Sequence, residues 1–334
     1  MVRGRMSVCG ALAGALGLTV FLALPVAALA QKKVTLRLDW KTKGGHAPYH
    51  LAADQGLFQA EGLQVEIFEG QGSATTVKTV ATGQDTFGWA DFGTMAKGVS
   101  QGVPVKAIFG VLQTSPMVVM AHADKNVRHP RDLEGKRIVL SHGDSTSQIL
   151  PALMKAAGAD YGKLNIVFTT GPAKIPAFLD RRVDAMTGYS ENQQVIVEAS
   201  GAKITVIKYA DYGVNTLSNG TITSSRVLRE EPETVKKFLR AVARGIRAAQ
   251  ADPKAAVAVL VKRFPAVANQ EPIFLKQLNL SLGLLETSNT KGKPLGWMAR
   301  EDWENTLRIL KEYGELPQVL PVEEYYTNDF IPAS

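Results

Sequence analysis

Cysteine is almost absent from this chain of 334 residues, in which Cys9 is the only one. Cys9 falls inside an apolar stretch, 7–27, that follows two arginines and contains no charged residue. Ala28-Leu29-Ala30 then places small residues where a signal peptidase cleaves, so we predict a signal peptide over 1–30. An uncleaved membrane anchor is the alternative, because the apolar run is long enough to span a bilayer. Cleavage after Ala30 leaves a chain without a thiol, a disulfide or a cysteine-based metal site.

An excess of charge of one sign is also missing. The portion after the signal, 31–334, carries 36 basic and 31 acidic residues, a net charge of +5. It has no block of lysine and arginine with interleaved aromatic residues, which argues against a nucleic-acid partner. It has no second apolar run of membrane-spanning length. Its 304 residues are enough for two domains with separate cores.

The motifs of common secreted enzymes are missing as well. The sequence contains no Gly-x-Ser-x-Gly elbow, no His-Glu-x-x-His and no dinucleotide fingerprint, and no nucleophile is paired with a base. His46 and His50 have the i, i+4 spacing of two zinc ligands on one helix face. A zinc site needs a third or fourth ligand, which the pattern does not supply. We therefore predict no catalytic residue, no metal site and no cofactor.

Strand and helix signals alternate along the chain after the signal. Strand-like alternation, as in Leu63, Val65 and Ile67, is followed by helical periodicity over 73–82 that ends at Gly83. Such alternation predicts an α/β fold with largely parallel sheets. From Pro232 onward the pattern is helical.

Two segments rich in strand-forming residues, Met117–Ala121 and Leu217–Thr223, bracket the central block. We predict that both are hinge strands crossing between two lobes. One lobe then consists of 31–115 and 224–334, and the other of 116–223. Ligands of open α/β sheets bind beyond the carboxyl ends of the strands, so both lobes would present those ends to a shared cleft.

The first candidate ligand-binding residues follow the first predicted strand. Trp40 and Tyr49 offer rings that stack on a flat ligand, and Asp39 and His46 offer hydrogen bonds. The alternative is that Trp40 belongs to the core and Asp39 stabilises a turn.

Hydroxyl groups lie where one helix begins in each predicted lobe. Ser73 begins the helix over 73–82, and Ser145 and Thr146 follow Asp144. Hydroxyls beside free backbone N–H groups form a site for an oxygen atom or an anion. Plain N-capping explains the same residues.

A similar order of residues occurs twice. In each predicted lobe a short strand delivers a glycine, an aromatic residue and then a carboxylate. These are Trp89 with Asp91 in the first lobe, and Tyr189 with Glu191 and then Asn192 in the second. Core packing and helix capping are the alternatives. The repeated order predicts opposed walls of one cleft.

The sequence resembles a known family, the substrate-binding proteins related to the binders of thiamine-pyrimidine precursors and of alkanesulfonates. The resemblance covers nearly the whole chain after the signal. It is carried by Leu38-Asp39-Trp40, His46-Ala47-Pro48-Tyr49, Gly72-Ser73-Ala74-Thr75-Thr76-Val77, Phe87-Gly88-Trp89-Ala90-Asp91, Tyr209-Ala210-Asp211-Tyr212-Gly213, Ser218-Asn219-Gly220, Gly296-Trp297-Met298 and Tyr326-Thr327-Asn328.

The resemblance implies a two-lobed type II periplasmic-binding-protein fold and the membrane permease of an ABC transporter as a partner. One branch of the family is enzymatic and carries a cysteine-rich iron-binding motif near the position of 215–219. This sequence has no cysteine after the signal, so the enzymatic role does not carry over.

The candidate residues favour a flat ligand with amino groups, because rings stack and carboxylates accept hydrogen bonds. A sulfonate or nitrate would require nearby arginine or lysine. Lys41 and Lys43 lie in the first loop and leave that choice open, and a riboflavin-like ligand is a further alternative. We predict a monomeric periplasmic solute-binding protein of an ABC importer, binding a small heteroaromatic such as a thiamine pyrimidine precursor. A secreted metal-dependent or hydrolytic enzyme is the rival hypothesis.

Overall fold

The computed structural model describes residues 1–4, 31–313 and 316–333. The chain divides into two units, 1–30 and 31–334. Apart from 1–4, the predicted signal peptide lies outside the described residues, as do Cys9 and the cleavage site. No helix within the described ranges is long and apolar enough to cross a membrane.

The first part of the chain alternates strands and helices as its periodicity predicts. Helix α3 ends before Gly83, whose φ of 77° lies in the left-handed region that favours glycine. The elements are β1 (Lys32–Arg37), α1 (Ala47–Asp54), α2 (Leu57–Ala60), β2 (Leu63–Phe68), α3 (Ser73–Ala81), β3 (Phe87–Asp91), α4 (Phe92–Ser100) and β4 (Val105–Gly110).

The central part repeats this plan with one interruption. The helical segment after Asp144 is divided at Ile149 into two short helices, because Pro151 has no N–H to donate to the preceding turn. The elements are β5 (Met117–His122), β6 (Arg137–Ser141), α5 (Ser145–Gln148), α6 (Leu150–Ala156), β7 (Asn165–Thr169), α7 (Lys174–Leu179), β8 (Ala185–Tyr189), α8 (Gln193–Ala199) and β9 (Ile204–Lys208).

The last part is one strand followed by helices. The long helix α10 buries one apolar stripe that includes Val235, Phe238, Leu239 and Val242. The elements are β10 (Asn219–Ser224), α9 (Ser225–Glu230), α10 (Pro232–Ala251), α11 (Pro253–Arg263), α12 (Glu271–Leu282) and α13 (Arg300–Glu312).

The strands form two sheets of five. The first has the order β2-β1-β3-β10-β4, and the second has the order β7-β6-β8-β5-β9. In the first sheet β10 runs antiparallel to both of its neighbours, and in the second sheet β5 does so. The other strands of each sheet run in a common direction, so the prediction of largely parallel sheets is confirmed.

Two segments join the sheets, 111–116 between β4 and β5 and 209–218 between β9 and β10. They run side by side, since Leu112 N donates to Asn219 O at 2.7 Å and Ser218 N donates to Leu112 O at 3.0 Å. The predicted hinge segments become β5 and β10, each of which directly follows a crossing. The strands of the second sheet lie within 117–208, a narrower range than the predicted 116–223. We propose that the lobes divide at the two crossings.

Candidate ligand-binding site

The candidate site is a small cavity between the two sheets, with a free volume of only about 10 Å³. It lies where the chain leaves β1 and β8 and where α3 and α5 begin. Larger hollows, such as that beside Lys106 and Tyr326, lie open on the surface. The cavity is lined by Asp39, Trp40, Lys43, Gly72, Ser73, Asp144, Ser145, Thr146, Tyr189, Asn192 and Gln193.

Seven of the twelve predicted site residues line this cavity. Residues 39 and 40 follow β1, Ser73 begins α3, and residues 145 and 146 begin α5. Tyr189 ends β8, and Asn192 precedes α8. The carboxyl ends of parallel strands meet at one edge of a sheet, which is why distant segments converge here.

The other five predicted residues lie behind the cavity wall or beside it, and all are buried. Tyr49 belongs to the core of the first sheet, and its hydroxyl lies 3.1 Å from Thr221 Oγ1. His46 packs edge-on against Trp89, with ring centroids 5.0 Å apart. Asp91 and Glu191, the two repeated carboxylates, differ in their contacts.

Asp91 acts mainly as a helix cap. Its Oδ1 accepts a hydrogen bond from Thr94 N at 2.7 Å at the start of α4. Its Oδ2 accepts from Ser218 Oγ at 3.4 Å and from Tyr189 Oη at 3.5 Å. Burial raises the pKa of Asp91 to about 7, although these hydrogen bonds oppose the shift. The contacts of Asp91 therefore agree with the alternative of helix capping.

Glu191 is buried, with 2% of its surface exposed, and neither carboxylate oxygen has a hydrogen-bond partner among the residues described. The nearest cation is Lys43, whose Nζ lies 3.8 Å from Oε1. Burial raises the pKa of Glu191 to about 7, and the charge of Lys43 acts in the opposite direction. Glu191 is thus an acceptor that the surrounding protein leaves unsatisfied.

Lys43 is the central cation of the site. Its side chain is 3% exposed, and Nζ lies 3.8 Å from Asp39 Oδ2 as well as from Glu191. The same Nζ lies 4.7 Å from the ring centroid of Trp89 and 5.4 Å from that of Tyr189. The sequence left open whether Lys41 or Lys43 reaches the cleft. Lys43 does, whereas Lys41 is half exposed and pairs with Glu69 at 2.9 Å.

Asp39 is held by two neighbours. Asn219 Nδ2 donates to Oδ2 at 3.1 Å. His46 Nε2 lies 3.1 Å from Oδ1 and donates to it in the tautomer that carries the proton on Nε2. Burial lowers the pKa of His46, so the imidazole is neutral at pH 7. The sequence analysis did not select Asn219 as a site residue, although it belongs to the Ser218-Asn219-Gly220 segment of the family resemblance.

A second buried cation, Lys174, was not foreseen. Its Nζ pairs with Asp144 and lies 3.0 Å from Thr187 Oγ1. Asp144 also accepts hydrogen bonds from the backbone and hydroxyl of Thr146 and so caps α5. Ser145 Oγ lies 2.7 Å from Tyr189 Oη. The hydroxyl groups of this helix start are therefore engaged in the wall of the cavity.

The spaced histidines do not form a metal centre with other residues. His50 is buried against Phe264, with ring centroids 5.4 Å apart, and neither ring nitrogen has a partner in the described ranges. Burial lowers the pKa of His50 to about 3. Within 1–4, 31–313 and 316–333, no group of three or more histidine, cysteine, aspartate or glutamate residues is arranged to hold a metal ion.

Several contacts join the two sides of the cavity. Ala74 N donates to Gly143 O at 3.2 Å, and Gln277 Nε2 donates to Asn192 Oδ1 at 2.9 Å. A Cβ atom added to Gly171 would lie 2.3 Å from Cη2 of Trp40, so the indole lies directly against this glycine. The lobes are thus in contact around the cavity.

Curated proteins similar in sequence include binding proteins and an enzyme. The riboflavin-binding protein RibY of Chloroflexus aurantiacus is 28% identical over 90% of this chain and 86% of that protein. The formylaminopyrimidine-binding protein of Halalkalibacterium halodurans is 24% identical, over 90% and 91%. The 4-amino-5-hydroxymethyl-2-methylpyrimidine phosphate synthase of Legionella pneumophila is 23% identical, over 90% and 93%.

Solved structures confirm the predicted two-lobed α/β fold. The alkanesulfonate-binding protein SsuA from Xanthomonas axonopodis pv. citri matches with a TM-score of 0.68 at 13% identity, over 89% of this chain and 98% of that chain. The family model described as NMT1/THI5 like matches residues 43–256, which is more than half of the chain. This match includes the segments around Trp89, Tyr189 and Glu191, and the chain therefore belongs to the NMT1/THI5-like family.

Proposed function

We propose that this protein is the substrate-binding protein of an ABC importer and that it captures a small heteroaromatic compound bearing an amino group. In this proposal the ligand binds between the two sheets, and the permease receives it from there. We propose that the protein works in the periplasm, which the predicted signal peptide at 1–30 supports.

The observation that carries the proposal is the unsatisfied carboxylate of Glu191 beside aromatic rings. A buried acceptor without a partner costs free energy, and an amino group of the ligand removes that cost by donating to it. The rings of Trp89 and Tyr189, both near Lys43 Nζ, supply the apolar faces that a flat ring requires.

The relatives support the same ligand class. One is named for binding formylaminopyrimidine, and another for binding riboflavin. Both compounds contain nitrogen heterocycles.

An anion such as a sulfonate or nitrate is the second candidate, because Lys43 Nζ lies at the cavity. Asp39 and Glu191 lie 3.8 Å from that nitrogen on either side, and both repel an anion when ionised. The charge around Lys43 therefore favours a neutral or cationic ligand.

The proposal treats the protein as a binder without catalysis. One relative is named as a synthase, so experiment must test whether this protein converts its ligand. The absence of cysteine after residue 9 removes thiol chemistry, and Asp91 is engaged in capping α4.

The test begins with native purification and mass spectrometry of any retained compound, followed by calorimetric titration of that compound and of 4-aminopyrimidine. We expect Glu191→Gln to weaken binding by about 10- to 100-fold, the effect of losing one charge-assisted hydrogen bond. Glu233→Gln, an exposed glutamate on α10, is the matched control and should bind like wild type.

Two results would count against the proposal. One is binding heat when a sulfonate or nitrate is titrated, with no heat from the retained compound or from 4-aminopyrimidine, which would indicate an anion site. The other is a retained compound whose mass changes during incubation with the protein, which would indicate an enzyme.

A further inference from the structure

Lys43 lies in surroundings that would bind a free cation. Its Nζ is flanked by the rings of Trp89 and Tyr189, at 4.7 and 5.4 Å, and by the carboxylates of Asp39 and Glu191, each at 3.8 Å. Aromatic faces and carboxylates together are what proteins use to recognise ammonium groups. We call these four side chains the cation box.

The distances within the box are loose for a permanent structural ion pair. An N–H···O hydrogen bond spans about 2.7–3.2 Å. The separations of 3.8 Å bring charge together without such a bond, and both oxygens of Glu191 stay unpartnered within the described chain. By contrast, the other buried lysine, Lys174, pairs closely with Asp144 and reaches Thr187 Oγ1 at 3.0 Å.

The position of Lys43 in the chain suits a movable side chain. It lies in the loop after β1, directly before the single turn 44–46, and it lines the cavity between the two sheets. A flexible four-carbon stem allows the ammonium to leave the box while the backbone stays in place. Nζ lies close to the faces of both rings, which is also where a flat ligand would stack.

We propose that the cation box is the recognition site for the amino or ammonium group of the ligand, and that the Lys43 ammonium fills this site in the empty protein and is displaced when ligand binds. This proposal rests on the proposed binding function and names a subsite within it. A tethered ammonium competes with the ligand, so the apparent affinity of wild type is reduced by the fraction of molecules in which Lys43 fills the box.

The test uses Lys43→Ala and n-propylammonium chloride, because this cation replaces the part of the side chain that the substitution removes. We expect millimolar n-propylammonium to raise the thermal midpoint of Lys43→Ala and to leave that of wild type unchanged. The matched control is Lys41→Ala, an exposed lysine of the same loop, which should not respond. n-Propanol, which has the same shape without the charge, should have no effect on any variant.

Two further variants sharpen the result. Lys43→Met fills the box with a neutral chain of similar length, so it should not respond to n-propylammonium. Lys43→Ala combined with Glu191→Gln should respond less than Lys43→Ala alone. If Lys43→Ala does not fold by itself, we expect n-propylammonium, and not n-propanol, to restore soluble protein; no restoration would overturn the proposal.

The ligand arm uses 4-aminopyrimidine. If Lys43 must be displaced, Lys43→Ala should bind 4-aminopyrimidine about tenfold more tightly than wild type. A tenfold difference corresponds to wild type in which the Lys43 ammonium is outside the cation box in roughly 10% of molecules. Weaker binding would show that Lys43 contacts the ligand directly and would overturn the proposal. The measurement with n-propylammonium does not depend on a transported solute. Its result therefore tests the cation box independently of the proposed role in an importer.

Discussion

At the residue scale, the main feature of the site is a group of carboxylates that become buried when the chain folds. Asp39 is compensated by Asn219 and His46, and Asp91 by Thr94 and Ser218. Glu191 lacks comparable hydrogen bonds within the part of the chain that is described. The free-energy cost of burying the ionised Glu191 carboxylate should therefore appear in the pH dependence of the unfolding free energy.

The first prediction concerns the pH dependence of unfolding. Burial raises the pKa of Glu191 to about 7, above its ordinary value of 4.5, so the folded state keeps a proton that the unfolded state releases. The stability that this proton contributes is fully present below pH 4.5 and is lost as pH rises through 7. Glu191→Gln should remove this loss and change the difference in unfolding free energy between pH 5 and pH 8 by ~2–3 kcal/mol.

Urea unfolding of wild type and Glu191→Gln at both pH values measures this difference, with Glu233→Gln as control. Other groups also titrate in this range, such as His50, whose lowered pKa acts in the opposite direction below pH 6.5. Their contributions are shared by all three proteins and cancel in the comparison. Equal pH dependence in wild type and Glu191→Gln would contradict the prediction.

At the element scale, the loop after β1 meets the turn before α7. Trp40 follows β1, and Gly171 begins the turn at 171–173. The close approach of the indole to this glycine leaves no room for a side chain. This contact joins an element of the first sheet to an element of the second.

Gly171→Ala is therefore expected to hold the lobes apart at this point. Overpacking typically costs about 1–3 kcal/mol, which corresponds to roughly 5- to 150-fold weaker binding of the retained compound. The thermal midpoint should change little, because the clash is relieved when the lobes separate. Calorimetric titration measures the affinity.

Trp40→Phe supplies the control, because the shorter ring withdraws from residue 171. We expect Gly171→Ala in the Trp40→Phe background to weaken binding less than it does in wild type. The same loss of affinity in both backgrounds would show that the contact with Trp40 does not control closure.

At the scale of the whole molecule, two sheets are joined by the paired crossings at 111–116 and 209–218. A pair of short connecting segments of this kind can serve as a hinge, and rotation about it would separate the lobes without breaking either sheet. The contacts between Ala74 and Gly143 and between Gln277 and Asn192 lie away from these crossings and are of the kind that opening would break.

We predict that the radius of gyration decreases when ligand binds. Small-angle scattering of the purified protein, stripped of retained compound and then saturated with it, measures the change. Gly171→Ala should show a smaller decrease than wild type. An unchanged radius at saturation would show that binding does not require closure.

The sequence alone determined the α/β alternation, the element order and most element bounds, because periods of 2 and 3.6 and glycine or proline at element ends are local signals. It also selected seven residues that line the cavity, since residues after parallel strands converge at one sheet edge. Only the tertiary structure decided the pairing of Lys43 with Glu191 and of Asp39 with Asn219. These partners are far apart in the chain, and their contacts depend on how two sheets close around a cavity, which no local pattern records.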